Sequence, residues 1–273
     1  MSTDIEIHYS GSGDLAARIL NSLIAAGKDP ERLTSRDLAP VDEFHIRGRR
    51  ATLELAERMG LSQASHVLDV GSGLGGPART LAETYGCRVT GIDLTADFCA
   101  ASEAICEWLN LSDKVRFVQG DACDLQFEDD SFDAAMTIHA AMNIPAKDAV
   151  YAGVKRVLKP TGIFAVYDVL QGEGGEVVFP VPWAREPSIS HLVRPEDMRR
   201  LLSDAGFEIL EEVDSSEASL AFFQEMTARM AKTGPPPLTF QAFLGGDFPQ
   251  MARNQVRNLA ERRIRTATYI CRA

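Results

Sequence analysis

A glycine-rich segment that follows a short apolar run constrains the fold of this chain more than any other feature. Residues 67–76 read Val-Leu-Asp-Val-Gly-Ser-Gly-Leu-Gly-Gly, and a helical pattern continues to Tyr85. Glycine has no Cβ, so it allows a tight turn and lets the backbone approach a ligand closely. The segment therefore predicts a buried strand that enters a helix through a ligand-cradling turn.

Apolar runs and helical patterns alternate through the rest of the chain. We predict strands over residues 66–70, 87–92, 115–119, 132–138, 163–169, 207–213 and 264–271. We predict helices over residues 76–85, 96–109, 147–158 and 195–205. Runs of apolar, β-branched residues separated by helices are typical of a parallel sheet that is covered on both faces. The pattern therefore predicts an α/β fold with a doubly wound sheet.

The chain divides into four predicted regions. Residues 1–64 read as helical pieces broken by turns, and we expect them to form an N-terminal helical lid. Residues 65–217 are predicted to form the α/β core, and residues 263–273 its final strand. Residues 218–262 are mostly helical, with a break at Gly234-Pro235-Pro236-Pro237. Long segments outside the sheet of a compact domain are often functional, so we expect a helical insertion that forms part of the lid.

The composition excludes several classes of protein. The chain has 28 Lys and Arg against 39 Asp and Glu, a net charge of −11, whereas a general nucleic-acid binder needs a basic face. The five cysteines are scattered without a CxxC pair or zinc spacing, so we expect no metal. The N-terminus lacks a signal-peptide pattern, and no apolar run approaches the roughly 20 residues that span a bilayer. We expect a cytoplasmic protein without a nucleic-acid or membrane partner.

The glycine turn alone fits two kinds of cofactor. Gly71, Gly73 and Gly76 satisfy the pattern GxGxxG, and Asp93 follows at the distance found in nicotinamide-dependent oxidoreductases. Asp69 argues against that alternative. A carboxylate at the end of the strand would repel a pyrophosphate, but it would pair with the cationic amino group or sulfonium of S-adenosylmethionine.

A second acidic segment, Gly120-Asp121-Ala122, follows the third predicted strand, where a carboxylate and a backbone N–H can read the edge of an adenine. Together these motifs resemble the class I S-adenosylmethionine-dependent methyltransferase family over residues 65–170 and 195–213. The resemblance implies a Rossmann-like, mostly parallel sheet of seven strands with an antiparallel last strand. It also implies S-adenosylmethionine as the cofactor and S-adenosylhomocysteine as the product.

The resemblance further implies a set of cofactor-binding residues. Asp93 would hold both ribose hydroxyls, and Leu94 would pack on the adenine face. The other candidates lie in the glycine turn, in the adenine segment and after the fourth strand: Asp69, Gly71, Gly73, Asp121, Ala122 and His139. Two of these acids have structural alternatives, because Asp93 also suits a helix N-terminus and Asp121 also suits a turn or N-cap.

Candidates for the acceptor side come from three parts of the chain. His139 follows the fourth strand, where acceptor and methionine moiety meet in the family, and it is the first candidate for a catalytic residue. Tyr9 is the second, because its ring would close over a sulfonium by a cation–π contact. Asn143 is a candidate for orienting a polar group of the substrate. The alternative for His139 is a structural histidine, that for Tyr9 is a disordered tail, and that for Asn143 is a helix cap.

Two segments, residues 42–48 and 179–184, resemble the substrate side of a small-molecule group that includes sarcosine and dimethylglycine methyltransferases. His45 and Trp183 are therefore candidates for substrate binding, with a core position as the alternative for Trp183. Arg185 and Arg194 are weaker candidates for pairing with a substrate carboxylate. The leading expectation is an amine acceptor, and oxygen or carbon methylation of a small metabolite is the alternative.

The expected reaction makes few chemical demands on the protein. Methyl transfer from a sulfonium is an in-line displacement, so the protein has mainly to align the acceptor with the methyl group. We expect a small-molecule methyl acceptor as the partner, with a homodimer as one possible assembly. A non-catalytic cofactor-binding module on the same fold is the alternative from another class, since a fold does not decide an activity.

Overall fold

The structure is a computed structural model that describes residue 8, residues 14–234, residue 240 and residues 244–273. A seven-stranded sheet forms its centre, in the order β3-β2-β1-β4-β5-β7-β6. The strands are β1 (His66–Val70), β2 (Arg88–Asp93), β3 (Val115–Gln119), β4 (Phe132–Ile138), β5 (Leu158–Gln171), β6 (Glu208–Asp214) and β7 (Ile264–Arg272). β1 to β5 pair in parallel, and β7 pairs antiparallel with β5 and β6. The predicted fold class is therefore confirmed.

Helices cover both faces of this sheet. They are α1 (Leu15–Ala25), α2 (Ser35–Asp42), α3 (Gly48–Ala56), α4 (Gly76–Tyr85), α5 (Ala96–Trp108), α6 (Lys147–Val157), α7 (Pro195–Asp204), α8 (Ser216–Thr233) and α9 (Phe248–Ala260). Helices α3, α4 and α5 contribute to one apolar cluster, and α6 and α7 contribute to another. Neighbouring residues of β1 divide between the two, since Val67 belongs to the first cluster and Leu68 to the second. This alternation is what a strand buried on both faces requires.

Strand β5 is longer than the sequence predicts. The prediction begins at Ile163, because Lys159, Pro160 and Gly162 resemble a loop between a helix and a strand. In the structure Leu158 already pairs with Phe132 of β4, and the far half of the strand pairs with β7 as far as Gln171. Long-range pairing overrides local propensity here, which is usual for strands.

Helix α2 has no counterpart among the predicted helices. It is only eight residues long and contains Pro40, which disfavours a helix interior. Its sequence signal is the N-terminal capping box, in which Thr34 and Asp37 satisfy each other's backbone N–H groups. The helix matters because it ends at Asp42, on the wall of the cavity described below.

Among the residues that the structure describes, no helix is long and apolar enough to cross a membrane. Helix α3 begins at Gly48 and ends at Ala56. Its N-cap, Arg47, has φ +73°, a left-handed conformation that is strained for a non-glycine residue. This sharp bend joins α3 to the segment that carries His45.

Candidate active site

The glycine turn between β1 and α4 forms the floor of a cavity. Gly71 has φ +75°, and a Cβ atom there would lie 2.3 Å from the Cβ of Ala140, so no larger residue fits. Gly73 has φ +54°, and a Cβ there would project into open space. The turn therefore needs glycine at Gly71 for close packing and leaves a space beside Gly73 that a side chain would fill.

Asp69, at the carboxyl-terminal part of β1, is buried and only 1% exposed. Its Oδ2 atom has no hydrogen-bond partner among the described residues. Burial raises its pKa to about 8, and the negative charges of Asp93 and Glu43 act in the same direction. A buried carboxyl group without a partner is costly unless a ligand supplies one. Asp69 is therefore suited to a cationic group of a ligand.

Asp93 ends β2 and joins the turn to the next helix. Its Oδ2 atom accepts a hydrogen bond from the backbone N–H of Gly73 at 2.8 Å, and its Oδ1 accepts from Thr95 at 2.9 Å. Burial raises the pKa of Asp93, while these two N–H groups lower it. These two hydrogen bonds hold the carboxylate in a fixed position on the cavity wall. Each oxygen keeps a further lone pair that can accept another hydrogen bond.

The cavity has a volume of about 250 Å³. Its lining includes four acidic residues: Asp42, Asp69, Asp93 and Asp121. Its apolar walls include Phe44, Leu74, Pro77, Phe98, Ile138 and Ile144. Among the described residues that line it there is no lysine or arginine. The cavity therefore favours cationic and neutral ligands over anions.

His139 follows β4 and has φ +49°. Its Nδ1 atom accepts a weak hydrogen bond from the backbone N–H of Ile46 at 3.4 Å. Burial places its pKa well below the ordinary value, and His45 lowers it further, so the ring is neutral. Because Nδ1 is an acceptor, the ring proton belongs on Nε2, which is buried without a partner among the described residues. His139 thus offers a hydrogen-bond donor.

His45 lies beside His139, with ring centroids 6.0 Å apart. Its Nε2 atom is 2.9 Å from the carbonyl oxygen of Gly48 and 3.2 Å from Oγ1 of Thr52. The Thr52 hydroxyl in turn donates to Oε2 of Glu43 at 2.7 Å. Burial lowers the pKa of His45 to about 4. A neutral histidine therefore lines the cavity, with a buried carboxyl group behind it.

A buried ion pair fixes the glycine turn to helix α2. The Nη2 atom of Arg79 lies 2.7 Å from Oδ2 of Asp42 and 2.5 Å from the carbonyl oxygen of Leu74. Burial and the neighbouring Glu43 raise the pKa of Asp42, and Arg79 lowers it, giving about 6. Because Arg79 contacts both elements, the position of the turn depends on the segment that precedes the sheet.

Comparison with known proteins agrees with this geometry. Residues 68–166 match the model of a methyltransferase domain. A sterol 24-C-methyltransferase of Gibberella zeae is 43% identical over 116 residues, which is 42% of this chain and 30% of that protein. An O-methyltransferase of Pyrenophora dematioidea is 28% identical and covers 78% of each chain. The matched part of the chain spans half or less of the length of the first sterol methyltransferases that it matches.

Among solved structures, the [4+2]-cyclase SpnF is 26% identical, covers 95% of this chain and 92% of its own, and superposes with a TM-score of 0.65. Several other structures of similar fold contain S-adenosylmethionine or S-adenosylhomocysteine. The matched methyltransferase domain contains both the glycine turn and the acid that ends β2. Residues 68–166 therefore match a methyltransferase domain, and this part of the chain has the fold of the class I S-adenosylmethionine-dependent methyltransferases.

The residues present fit the cofactor of this methyltransferase family. S-adenosylmethionine carries a positive amino group, and Asp69 provides a buried carboxyl group that has no partner among the described residues. Gly73 provides open space, and the fixed carboxylate of Asp93 provides acceptors for hydroxyl groups. We therefore assign the cavity to S-adenosylmethionine.

The structure brings together most of the candidate residues. The residues of the prediction that line the cavity are Asp69, Gly71, Gly73, Asp93, Leu94, Asp121, Ala122, His139, His45 and Asn143. Asp121 is exposed, and its Oδ1 also accepts from the backbone N–H of Cys123 at 2.8 Å, so it is a turn residue as well as a wall residue. Tyr9 lies outside the described residues.

Trp183 is placed differently from the prediction. It is buried in an apolar cluster with Ile46 and Phe223, and it is absent from the cavity lining. Its Nε1 donates to Oγ of Ser190 at 3.0 Å. Trp183 therefore fills the core, which was the alternative interpretation. A large apolar ring gains more from complete burial than from a place on a partly polar wall.

Two further candidates have structural roles. The side-chain amide of Asn143 donates to the carbonyl oxygens of Trp183 and Ile189, at 2.7 and 2.8 Å, so its nitrogen holds this loop. Arg185 pairs with Asp247 and with the carbonyl oxygen of Leu244. Neither Arg185 nor Arg194 lines the cavity. The expected binding of a substrate carboxylate by these arginines therefore has no support.

Sequence reasoning missed the acids that precede α3. In the sequence, Asp42 and Glu43 stand out only as part of the segment 42–48, which resembles the substrate side of sarcosine and dimethylglycine methyltransferases. Neither Arg79 nor Thr52 stands out in the sequence. The signal that was available is two adjacent acids within a partly apolar stretch, which is unusual for a surface turn. Nothing in the sequence indicates that Thr52 and Thr80 would be the donors to Glu43.

Proposed function

We propose that the protein transfers the methyl group of S-adenosylmethionine to a carbon atom of a neutral, largely apolar small molecule. The observation that carries this proposal is the character of the cavity lining. It combines four acids with aromatic and aliphatic side chains, and it has no lysine or arginine among the described residues. A carboxylate or phosphate on the acceptor would find no cationic side chain among the described residues that line the cavity.

This proposal replaces the amine as the leading acceptor. Sarcosine and dimethylglycine each carry a carboxylate, and the arginines expected to bind it lie elsewhere. The sterol 24-C-methyltransferases among the relatives methylate carbon, as their names state, and a sterol is neutral and apolar. These relatives support a carbon acceptor of similar chemistry for this chain.

The apolar surroundings of the cavity extend beyond its wall. The ring of Phe44 lies on the wall, and its centroid is 4.5 Å from that of Phe240. Phe240 also contacts the ring of Phe248, which begins α9. We propose that this aromatic group helps to form the lid predicted for residues 218–262, and that it shields an apolar acceptor from water.

An oxygen acceptor is the second candidate. The O-methyltransferase relative is less similar in sequence, but it is matched over 78% of its own length, more than any of the sterol methyltransferases named above. A neutral phenol or alcohol would also avoid the repulsion between an anion and the acidic lining. Product analysis distinguishes the two, because a methyl group on oxygen and one on carbon differ clearly in their NMR shifts.

The proposal is tested with S-adenosylmethionine labelled in its methyl group and a panel of acceptors. The panel contains desmosterol, a sterol with a double bond at carbon 24, and geraniol as neutral alkenes, a simple phenol, and dimethylglycine and sarcosine as amines. We expect label in a carbon-methylated product of a neutral alkene. Methylation of the amino acids alone would overturn the proposal. Cofactor binding without any product would favour a cofactor-binding protein that does not methylate.

A further inference from the structure

Two neutral histidines at the cavity are held in opposite tautomers by the backbone. The Nε2 atom of His45 lies 2.9 Å from the carbonyl oxygen of Gly48, which only accepts, so Nε2 carries the proton. The Nδ1 atom of His139 accepts from the backbone N–H of Ile46, so its proton is on Nε2. His139 is therefore a donor, whereas the Nδ1 atom of His45 has a lone pair that can accept.

A directed chain of hydrogen bonds lies behind His45. Its Nε2 atom, whose proton points to Gly48, is also 3.2 Å from Oγ1 of Thr52, and the Thr52 hydroxyl donates to Oε2 of Glu43. The other oxygen of Glu43 accepts from the hydroxyl of Thr80 at 2.7 Å. Glu43 itself is 3.7 Å from Nε2 of His45. A positive charge on the His45 ring would be stabilised by this carboxylate at close range.

We propose that His45 is the catalytic base that takes up the proton released by carbon methylation, and that Glu43 and Thr52 position it. The proposal rests on the proposed function, because only methylation of an alkene carbon leaves a carbocation from which a C–H proton has to be removed. The proposal gives a role to Glu43, Thr52 and His45, three buried residues that cofactor binding does not require.

The proton balance of the reaction requires such a base. The π electron pair of the acceptor forms the new bond to the methyl carbon, and the carbon–sulfur pair stays on sulfur. The neighbouring carbon of the acceptor is left with a positive charge. A C–H bond beside that carbon then gives its electron pair to a new double bond, and its proton moves to Nδ1 of His45. The ring becomes an imidazolium ion beside Glu43.

A weakly basic histidine is sufficient for this step. Burial lowers the pKa of His45 to about 4, so at neutral pH the ring is free to accept. A C–H bond beside a carbocation is far more acidic than an imidazolium ion, so the transfer to such a ring is downhill. The same low pKa lets the ring lose its proton to water before the next turnover.

The tautomers are tested first, without any acceptor. Nitrogen-15 NMR of the histidine rings, with S-adenosylhomocysteine bound, distinguishes a protonated from an unprotonated nitrogen. We expect Nε2 of His45 to carry the proton and Nδ1 to be free. A His45 ring with its proton on Nδ1 would overturn the proposal, whatever the activity of the enzyme.

The base is tested with His45→Gln, in which the side-chain amide can still donate toward Gly48. We expect kcat with desmosterol, or with whichever neutral alkene of the panel is methylated, to fall about 100-fold or more. We also expect water to trap the cation, giving a product heavier than the acceptor by CH2 and H2O. The affinity for S-adenosylhomocysteine should be unchanged. His191→Gln, a histidine that does not line the cavity, is the matched control.

The positioning residues are tested with Thr52→Val and Thr52→Ser, since the first removes the hydroxyl and the second keeps it. We expect the valine variant to lose kcat with unchanged KM and the serine variant to recover it. A His45→Gln enzyme with wild-type kcat and wild-type product would refute the base while leaving carbon methylation intact. A wild-type enzyme that methylates no alkene carbon would instead refute the proposed function, and this proposal with it.

Discussion

Asp69 shows how one buried residue selects a ligand. Its carboxyl group is fixed by β1, and burial with two neighbouring acids raises its pKa to about 8. At neutral pH the free protein therefore holds this group mostly protonated. A cationic ligand reverses that preference, because an opposite charge at close range favours the carboxylate. Ligand binding and proton release are thus coupled at Asp69.

Asp69→Asn is expected to weaken binding of S-adenosylhomocysteine about 10- to 100-fold, because a hydrogen bond to a charged group contributes about 1.5–3 kcal/mol. Isothermal titration calorimetry measures the change. The wild-type affinity should fall as pH drops below about 8, and the variant should show less of this dependence. Asp133→Asn is the control, because Asp133 pairs with Lys159 and does not line the cavity. Equal affinities for wild type and Asp69→Asn would contradict the assignment.

His139 is expected to act as a hydrogen-bond donor and not as a base. His139→Gln retains an N–H group, whereas His139→Ala removes it. We expect kcat/KM for the acceptor to fall about tenfold in the alanine variant and less in the glutamine variant, since one hydrogen bond contributes about 0.5–1.5 kcal/mol. Steady-state kinetics and a thermal unfolding curve separate this effect from a loss of stability. If both variants lose stability but keep full activity, His139 is a structural histidine.

At the residue scale, the sequence predicts cofactor positions better than acceptor positions. Asp69 and Gly71 stand in one short motif whose geometry is local, and both line the cavity. The contact of His45 with Glu43 and Thr52 depends on the left-handed backbone conformation at Arg47, which bends the chain there. No rule of residue spacing predicts that bend. Trp183 illustrates the same limit, because a single aromatic residue fits a core and a pocket equally well in sequence.

At the scale of elements, the parallel half of the sheet was predictable and the preceding segment was not. β3 and β4 have the bounds that the sequence predicts, because each lies between clear turn signals; β4 is almost wholly buried, whereas β3 buries only Val115 and Phe117. Helix α2 is short and contains a proline, so tertiary contacts decide its formation. Its contact with α4 places Asp42 against Arg79, so a segment outside the sheet helps to hold the glycine turn.

The ion pair between α2 and α4 gives a prediction for stability. Asp42→Ala would leave the buried guanidinium of Arg79 without its carboxylate, and breaking a buried pair from one side costs about 3–5 kcal/mol. We expect a loss of this size in the free energy of unfolding, measured by urea denaturation. Asp42→Leu combined with Arg79→Met should cost less, because no unpaired charge remains. A double variant less stable than Asp42→Ala would contradict this explanation.

At the scale of the whole molecule, a few acids are buried where they affect binding. The chain has a net charge of −11, and several of its acids are buried around the cavity rather than spread over the surface. Such burial destabilises the free protein, because ionised carboxylates in the interior are costly. A cationic cofactor removes part of this cost. The free protein should therefore gain stability on binding beyond what apolar contacts provide.

The stability of the cofactor-free protein should accordingly fall as pH rises from about 7.5 to 8.5. Burial raises the pKa of Asp69 to about 8 and that of Asp168 to about 7, so the folded protein retains protons in this window. The unfolded chain has already lost them, since its carboxyl groups titrate near pH 4. The unfolded state binds fewer protons, so the free energy of unfolding decreases as pH increases. The five histidines all have lowered pKa values and act in the opposite direction, but only up to about pH 7.5, where the unfolded chain has lost their protons.

The expected slope is about 1.4 kcal/mol per pH unit for each proton that the folded protein retains. Urea denaturation at several pH values measures it. Asp69→Asn and Asp168→Asn should each flatten the curve, and saturating S-adenosylhomocysteine should remove the contribution of Asp69 because the bound cation favours its carboxylate. A free protein whose stability is constant or increases between pH 7.5 and 8.5 would show that Asp69 is ionised without the ligand. The coupling of cofactor binding to the charge of Asp69 would then be wrong.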